Sequence, residues 1–525
     1  MNLPPLLRRI SDYAEWHADT RPNAVALTLG ARSWTYRDLK SAVDDLAKAL
    51  LVAGVKKGDR VATLQTPRPE YFIAFLACAS VGTIWLGLNP RYRRSELEHI
   101  VTDAEPCILI TRLEIEDRSY AEDVSALTRA CPWLWRVIAF SGEPDKSDDV
   151  ERMEDFLAAG RGVSDEDLSA ARAACGGRDP CAIVYTSGST GSPKGALLCH
   201  EAIAASGIEI NRAWPVDPYS ALNFFPINHV GCLVDVSTPC LVAGGNMVFM
   251  EHFDARESLR LIEQERITLW GSVPSTFHMQ LSLDDFASFD LSQVQLIVWA
   301  GAAMPAEMIQ KLRDICPRLG TNYGLTETTT AVTLVEPTAD LDILAKTVGL
   351  PFAQVEVRIM GDGDQILGVN EPGEIQTRSL FNLLGYWRRP DATSDAFTHD
   401  KFLRTGDIAE QRPDGRFRLV GRLREMYKSG GYNVYPREVE ETIERHPSVS
   451  LAAVVATPDP LWQEVGVAYV LTDGSSSPEE LLSYCREQLA NFKIPKRIYI
   501  EEHLPLLPIG KVDKVELKRR AAELA

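Results

Sequence analysis

Between Tyr185 and Gly195 the chain reads Thr186-Ser187-Gly188-Ser189-Thr190-Gly191-Ser192-Pro193-Lys194, crowding hydroxyls, glycines and one lysine into a single turn. Backbone N–H groups, hydroxyls and one cation are what a polyphosphate needs around its oxygens. A Walker loop has Gly before its Lys and Ser or Thr after it, whereas Pro193 and Gly195 flank Lys194, and no GxGxxG fingerprint occupies this turn. Further along, Glu327 follows Thr326, placing a hard carboxylate oxygen beside a hydroxyl, a set that suits Mg2+ shared with a phosphate. Asp407 has the acceptors for both hydroxyls of a ribose, and Arg422 has donors for the same sugar.

Other segments keep this order. They are Phe225-Pro226-Ile227-Asn228-His229-Val230-Gly231, Gly301-Ala302-Ala303, Asn322-Tyr323-Gly324-Leu325-Thr326-Glu327, and Arg404-Thr405-Gly406-Asp407. Gly421-Arg422 through Lys428-Ser429-Gly430-Gly431-Tyr432-Asn433-Val434, and Pro508-Ile509-Gly510-Lys511-Val512-Asp513, follow. Together with the loop they resemble the motifs of the adenylate-forming superfamily of acyl-CoA synthetases, peptide-synthetase adenylation domains and luciferases, over nearly the whole chain.

The resemblance implies an ATP-dependent carboxylic acid:CoA ligase that forms an acyl-AMP, releases pyrophosphate, and then makes an acyl-CoA with release of AMP. It implies ATP, Mg2+ and coenzyme A as cofactors. Thr186, Ser187, Gly188, Ser189, Thr190, Gly191 and Lys194 would then hold phosphates; Gly301, Ala302 and Ala303 the adenine; and Asn322, Tyr323, Gly324 and Thr326 the α-phosphate region. Asp407 and Arg422 would hold the ribose, Glu327 the metal, and Lys428, Gly430 and Gly431 the CoA. Lys511, Glu327, Thr186 and His229 would be the catalytic group, with His229 as an aromatic gate and Arg424 as the hinge. The acyl site would be lined by His229, Val230, Gly231, Trp299, Gly324 and Leu325, with Trp299 and Gly324 suggesting a flat, ring-sized cavity. That lining predicts an apolar fatty or aromatic monocarboxylate.

The alternative is an adenylating enzyme that hands its acyl group to a carrier protein. Amino-acid-activating relatives carry Asp directly after the gate, where this chain has Val230; Asp235, five residues on, is expected to point elsewhere. The chain also departs from the pattern at the hinge, where Arg424 replaces Asp or Lys, at Pro508-Ile509, and at Arg378-Ser379. None removes a group the chemistry needs. Tyr432 is left between the CoA and its own domain.

Elements must position these groups. Strand-like runs at Ala182–Tyr185, Gln295–Trp299 and Val355–Ile359 alternate with helical spacing at Arg256–Glu265 and Ala306–Asp314, which predicts an α/β chain with helix-covered sheets. Tyr71–Leu88 runs without a charge, but Gly82 divides it into a helix-like half and a strand-like half, so a buried helix and strand are expected rather than a membrane span. Asp362-Gly363-Asp364 is read as a hairpin turn, since the remaining ligand spacing of a calcium loop is absent. The expected organisation is a large N-terminal domain, 1–422, containing a β-rich subdomain at about 350–420, and a small mobile α+β C-terminal domain, 423–525. In the latter, a helix at Pro436–Arg445, strands at Ala452–Ala456 and Val465–Leu471, and a helix from Pro478 are predicted.

The chain has 525 residues, 24% charged, with a formal net charge of -18. That balance excludes a broad nucleic-acid surface, because phosphate neutralisation needs clustered Lys and Arg. Ten cysteines without a CxxC pair suggest neither a zinc site nor a disulfide framework, and with no export signal at the N-terminus a cytoplasmic location is expected. No membrane span is expected, and a homodimer is allowed.

Overall fold

The structure, a computed structural model, describes residues 3–140, 150–186, 193–429, 431–507 and 510–524. Most of the predicted phosphate loop (Ser187, Gly188, Ser189, Thr190, Gly191), together with Gly430, Pro508 and Ile509, lies outside the described residues.

Among the described residues two large sheets dominate. The nine-stranded sheet runs Leu350–Pro351, Ala331–Leu334, Leu319–Gly324, Leu296–Ala300, Leu269–Ser272, Ser220–Asn223, Asn246–Phe249, Val25–Leu29, Arg32–Thr35. Its centre is parallel and its edges are antiparallel. The eight-stranded sheet runs Gly385–Tyr386, Lys194–Cys199, Pro180–Thr186, Ile84–Leu88, Arg60–Leu64, Ile108–Thr111, Arg136–Ala139, Val150–Arg152. It too is parallel, apart from the antiparallel strand Lys194–Cys199 and its neighbours.

The charge-free run resolves as expected into the helix Pro69–Ser80 and the strand Ile84–Leu88, both buried. Tyr71, Phe72 and Phe75 of that helix belong to one hydrophobic core that also takes in Val184 of one sheet and Val298 of the other. A helix buried on every side is apolar all round, which is why it resembles a membrane span in sequence. No described helix is long and apolar enough to cross a membrane.

A separate antiparallel sheet is formed by Glu356–Met360, Gly373–Arg378, Leu403–Gln411 and Phe417–Arg422. Asp362–Asp364 forms a short turn between its first two strands. Beyond it, the hairpins Tyr427–Ser429/Tyr432–Val434 and Val449–Asp459/Gln463–Thr472, with Arg497–Ile500, form a five-stranded sheet carrying helices Pro436–Glu444, Pro478–Gln488 and Lys514–Glu523. Its two cores draw their members from Tyr427 onwards, whereas the cores of the rest of the chain end at Leu419. These predicted elements are present, with the strands several residues longer than expected, because the paired hairpin continues past its apolar centre.

Candidate active site

In open α/β sheets ligands collect outside the carboxyl ends of the parallel strands. Three such ends bring predicted residues together: Thr186 closes one strand, Ala300 leads into Gly301 from a second, and Gly324 ends a third.

Glu327 lies in a short 3-10 turn just after that third strand. Its Oε1 accepts a hydrogen bond from the Tyr386 hydroxyl at 2.9 Å and stands 3.4 Å from the Thr186 hydroxyl. Tyr386 belongs to the two-residue strand Gly385–Tyr386, which pairs with the strand carrying Lys194, and the Lys194 ammonium lies 5.5 Å from the centre of its ring. One tyrosine thus ties the carboxylate to the lysine of the phosphate loop. Sequence reasoning missed it; an aromatic residue after Gly385, flanked by Trp387, was the available signal. The set around Glu327 is all hard oxygen, and no group of three or more His, Cys, Asp or Glu side chains able to hold a metal occurs among the described residues. That set fits Mg2+ held by one carboxylate with water and phosphate oxygens completing its shell, and it does not fit a protein cage.

Asp407 and Arg422 are direct register partners on neighbouring antiparallel strands. Arg422 Nε sits 3.2 Å from Asp407 Oδ1, and the Tyr323 hydroxyl donates to Oδ2 at 2.8 Å. Burial raises the Asp407 carboxyl above the usual range, against the pull of Arg422 and Tyr323. Tyr323 therefore acts through its hydroxyl as a brace for Asp407. Asn322 is half-buried, Thr326 is buried, and Gly301 and Ala302 are exposed with Ala303 half-buried beside them. At Gly324 an added Cβ would stand 2.3 Å from the Thr330 carbonyl oxygen, so no side chain fits there.

Lys511 reaches into this site. A Cβ built on Gly301 would meet Lys511 Cε at 2.7 Å and Nζ at 3.4 Å. The turn that carries it is closed by hydrogen bonds from Leu507 N–H to the Lys511 carbonyl (2.7 Å) and from Gly510 N–H to the Leu507 carbonyl (2.8 Å). It is held to the large domain by the Ser275 hydroxyl, which donates to the Gly510 carbonyl at 2.5 Å. Burial pushes the Lys511 amine down to about 8, helped by the Arg422 charge and opposed by Asp407 and Asp235.

On the acyl side, His229 Nδ1 accepts from the Gly231 N–H at 2.9 Å, and burial with the Lys511 charge pushes its imidazole down to about 4. His229 is thus a neutral wall residue whose Nδ1 is already committed. Val230 is buried, while Gly231 and Leu325 keep some accessible surface.

Two expectations fail here. The Trp299 side chain is only 1% exposed and packs with Trp270, Phe277, Met304 and Met308 in the core beneath the helices; its neighbour Val298 is the one in the core shared with Val230 and Leu325. Successive side chains on a strand face opposite sides, so the indole builds no ring-sized cavity. Asp235 does not point elsewhere. It sits in a π-helix, Gly231–Ser237, accepts a hydrogen bond from the Thr330 hydroxyl at 3.1 Å, and lies within electrostatic reach of Lys511. A count from the gate at 3.6 residues per turn assumes an α-helix, and the wider π-helical turn changes that phase.

The described CoA-facing candidates, Lys428 and Gly431, lie in the hairpin Tyr427–Ser429/Tyr432–Val434. Lys428 is exposed, its N–H donating to Glu464 at 3.2 Å, and Gly431 is exposed beside it. Tyr432 stacks on Phe492 of its own domain with ring centres 4.5 Å apart. Arg424 occupies an exposed turn after the strand Phe417–Arg422, where Glu425 and Met426 N–H both bond the Arg422 carbonyl.

The chain matches known proteins along most of its length. Residues 14–387 match the AMP-binding enzyme family model, and residues 438–511 match the model of the AMP-binding enzyme C-terminal domain. The chain is 35% identical over 502 residues to a feruloyl-CoA synthase from Amycolatopsis sp, covering 95% of this chain and 96% of the relative. It is 31% identical to an indoleacetate–CoA ligase from Aromatoleum aromaticum, with 98% of each covered. Among solved structures it resembles ATP-bound MatB from Rhodopseudomonas palustris, 27% identical, with a TM-score of 0.85 over 98% of this chain and 99% of the other.

Proposed function

Because the chain belongs to the AMP-binding enzyme family and is an AMP-forming acid–thiol ligase using ATP and CoA, we propose that Lys511, Glu327 and Asp407 carry its first step on an apolar fatty or aromatic monocarboxylate. The observation that carries this reading is the seat of Lys511, which approaches Gly301 and interacts electrostatically with Asp407, Arg422 and His229. A cation there meets both the acid's carboxylate and the α-phosphate as their charges converge.

In this proposal Asp407 and Arg422 hold the ribose, Gly301, Ala302 and Ala303 face the adenine, and Thr186, Lys194, Asn322 and Thr326 face the phosphates. Gly324 lets the nucleotide approach the strand end closely. Glu327, braced by Tyr386, would hold Mg2+, which neutralises phosphate charge when bound. The carboxylate attacks the α-phosphorus in line, the bond to the bridging oxygen breaks, and pyrophosphate leaves with that electron pair. Lys511 must then withdraw to admit the thiol. We place the pivot at Arg424, with the domains at 1–422 and 423–525, and the CoA at Lys428, Gly430 and Gly431. The thiol attacks the acyl carbon, gives up its proton, and AMP leaves.

The apolar side chains of Val230 and Leu325 beside a neutral His229 support an apolar acid. The names of the two curated relatives point to aromatic acids with a short carboxylate arm. The test is pyrophosphate release over aliphatic, aromatic and alicyclic acids, with and without CoA. Acid-dependent release followed by CoA-dependent AMP formation supports the reading; release with no acid dependence refutes it.

A further inference from the structure

The two strands that carry the phosphate loop are in register at its mouth, Tyr185 opposite Gly195 and Thr186 opposite Lys194. Between them the sequence is Ser, Gly, Thr and Pro, which offer little apolar surface to bury, so rigidity must come from the stems. Both stems lead to one residue outside the loop, Asp103. The Tyr185 hydroxyl donates to Asp103 Oδ2 at 2.6 Å, which ties down the incoming strand. The Trp387 indole N–H donates to the Asp103 carbonyl at 3.0 Å, and the Trp387 backbone N–H donates to the Gly195 carbonyl at 2.7 Å, which ties down the outgoing strand. Arg389, two residues after Trp387, closes the clamp by donating to Asp103 Oδ1. The Asp103 side chain is 10% exposed and Tyr185 8%, so the bond between them is shielded from water. Asp103 is the penultimate residue of the helix Arg94–Ala104, where the helix dipole disfavours a carboxylate. The helix gains nothing from that charge, so its use lies in these bonds.

We propose that Asp103 is a positioning residue for the first step: its carboxylate and its carbonyl hold the two stems of the phosphate loop at one spacing, so that Thr186 and Lys194 meet the triphosphate of ATP together. This rests on the reading above that these two residues face the phosphates. Tyr386, next to Trp387, bonds Glu327, so the same anchor aims the carboxylate proposed for Mg2+. The part of ATP that the clamp serves leaves as pyrophosphate, and acyl-AMP lacks it. Loosening the clamp therefore falls on the use of ATP and spares the acid and the thioester step. A residue that only stabilised the fold would lower all three together.

The experiment measures pyrophosphate release against ATP and against the acid, and thioester formation from supplied acyl-AMP. Displacing a positioned group by about 1 Å costs about a hundredfold, so freeing one stem in Asp103→Ala or Tyr185→Phe should lower kcat/KM for ATP by about tenfold or more. The KM for the acid and the rate of the thioester step should stay near native. The double variant should be no worse than Asp103→Ala alone, because both substitutions break the same bond. Trp387→Phe removes the second arm while keeping a ring between Arg60 and Arg388, and it should weaken ATP use in the same way. Asp103→Asn keeps one acceptor oxygen and should lose less; with Tyr185→Phe it supplies the comparison if the alanine variant does not fold, as judged by thermal shift. An unchanged kcat/KM for ATP in the folded variants, beside a fall in Lys194→Ala, overturns the role of Asp103 alone. So does an equal loss in both half-reactions. An unchanged value in Lys194→Ala refutes the phosphate reading of the loop and the role of Asp103 with it, and absence of acid-dependent pyrophosphate release in native enzyme refutes the adenylation reading.

Discussion

Raising the pH should switch off the first half-reaction by discharging Lys511. Burial and the Arg422 charge hold its amine at about 8, against an ordinary value of 10.5, a difference worth about 3 kcal/mol against the charge in the resting site. In free enzyme the side chain is then mostly charged at pH 7 and mostly neutral at pH 9. Since kcat/KM reports the free enzyme, pyrophosphate release should fall about tenfold per pH unit on the alkaline side of 8. The limb in kcat should lie at higher pH, because bound triphosphate favours the charged lysine. Lys511→Arg keeps a permanent cation and should abolish the limb, while Lys511→Ala should be slow and flat. Thioester formation from supplied acyl-AMP should show no loss near pH 8 in any of the three proteins. Linkage adds an independent check. The unfolded chain holds a proton that the native site sheds between about 8 and 10.5, so native stability rises with pH across that window. Below it the buried charge is a penalty, and Lys511→Met should stabilise the ligand-free protein there. An alkaline limb that survives unchanged in Lys511→Arg, or that appears equally in the second half-reaction, refutes the reasoning.

Three further perturbations test the surrounding structure. Gly301→Ala places a methyl 2.7 Å from Lys511 Cε at a backbone φ of +86, so adenylation should fall about tenfold or more while acyl transfer from supplied acyl-AMP is less affected; equal losses would count against the seat. Tyr386→Phe keeps the ring beside Lys194 but removes the 2.9 Å bond to Glu327, and the Mg2+ concentration for half-maximal pyrophosphate release should rise about tenfold, an unchanged dependence excluding the bracing role. Lys514 lies 2.7 Å from both Glu425 and the buried Glu440; burial alone would raise Glu440, but Lys514 and Arg437 outweigh it and lower its carboxyl, so the stability it confers is present at neutral pH and lost as pH falls through the folded value. Lys514→Met should therefore destabilise residues 436–459 by about 3 kcal/mol and move acid unfolding to higher pH, read by hydrogen exchange; unchanged protection would mean that Arg437 alone suffices.

What was legible in the chain was the chemistry stated by residue type, such as a carboxylate after a threonine or a lysine in a glycine turn. Asp407 and Arg422 illustrate why: the residues named for one sugar prove to be register partners on adjacent strands, so local pairing alone brings them together. The helix Pro69–Ser80 and the strand Ile84–Leu88 were legible because a glycine divided the apolar run. The misses have geometric causes. Leu296–Ala300 is a parallel strand covered on both faces, so its continuous apolar run does not say which side Trp299 takes. Tyr386 reaches Glu327 only because a two-residue strand pairs beside Lys194–Cys199, which no periodicity announces.

Asp235 is the most instructive case. Its residue type signalled chemistry, but its direction could not be read from an α-helical repeat, because it lies in a π-helix whose wider turn has a different phase. A wide turn costs helix stability and is retained where it re-aims a functional side chain. Here it sets a carboxylate near the one lysine that must enter and leave the site. Lys511 arrives on a separate segment, held to the large domain by the Ser275–Gly510 hydrogen bond, a neutral contact worth about 1 kcal/mol. A contact that weak lets the segment leave once the acyl-AMP has formed, so Lys511→Ala should slow pyrophosphate release while leaving thioester formation from supplied acyl-AMP at its native rate, and equal losses in the two steps would refute the role.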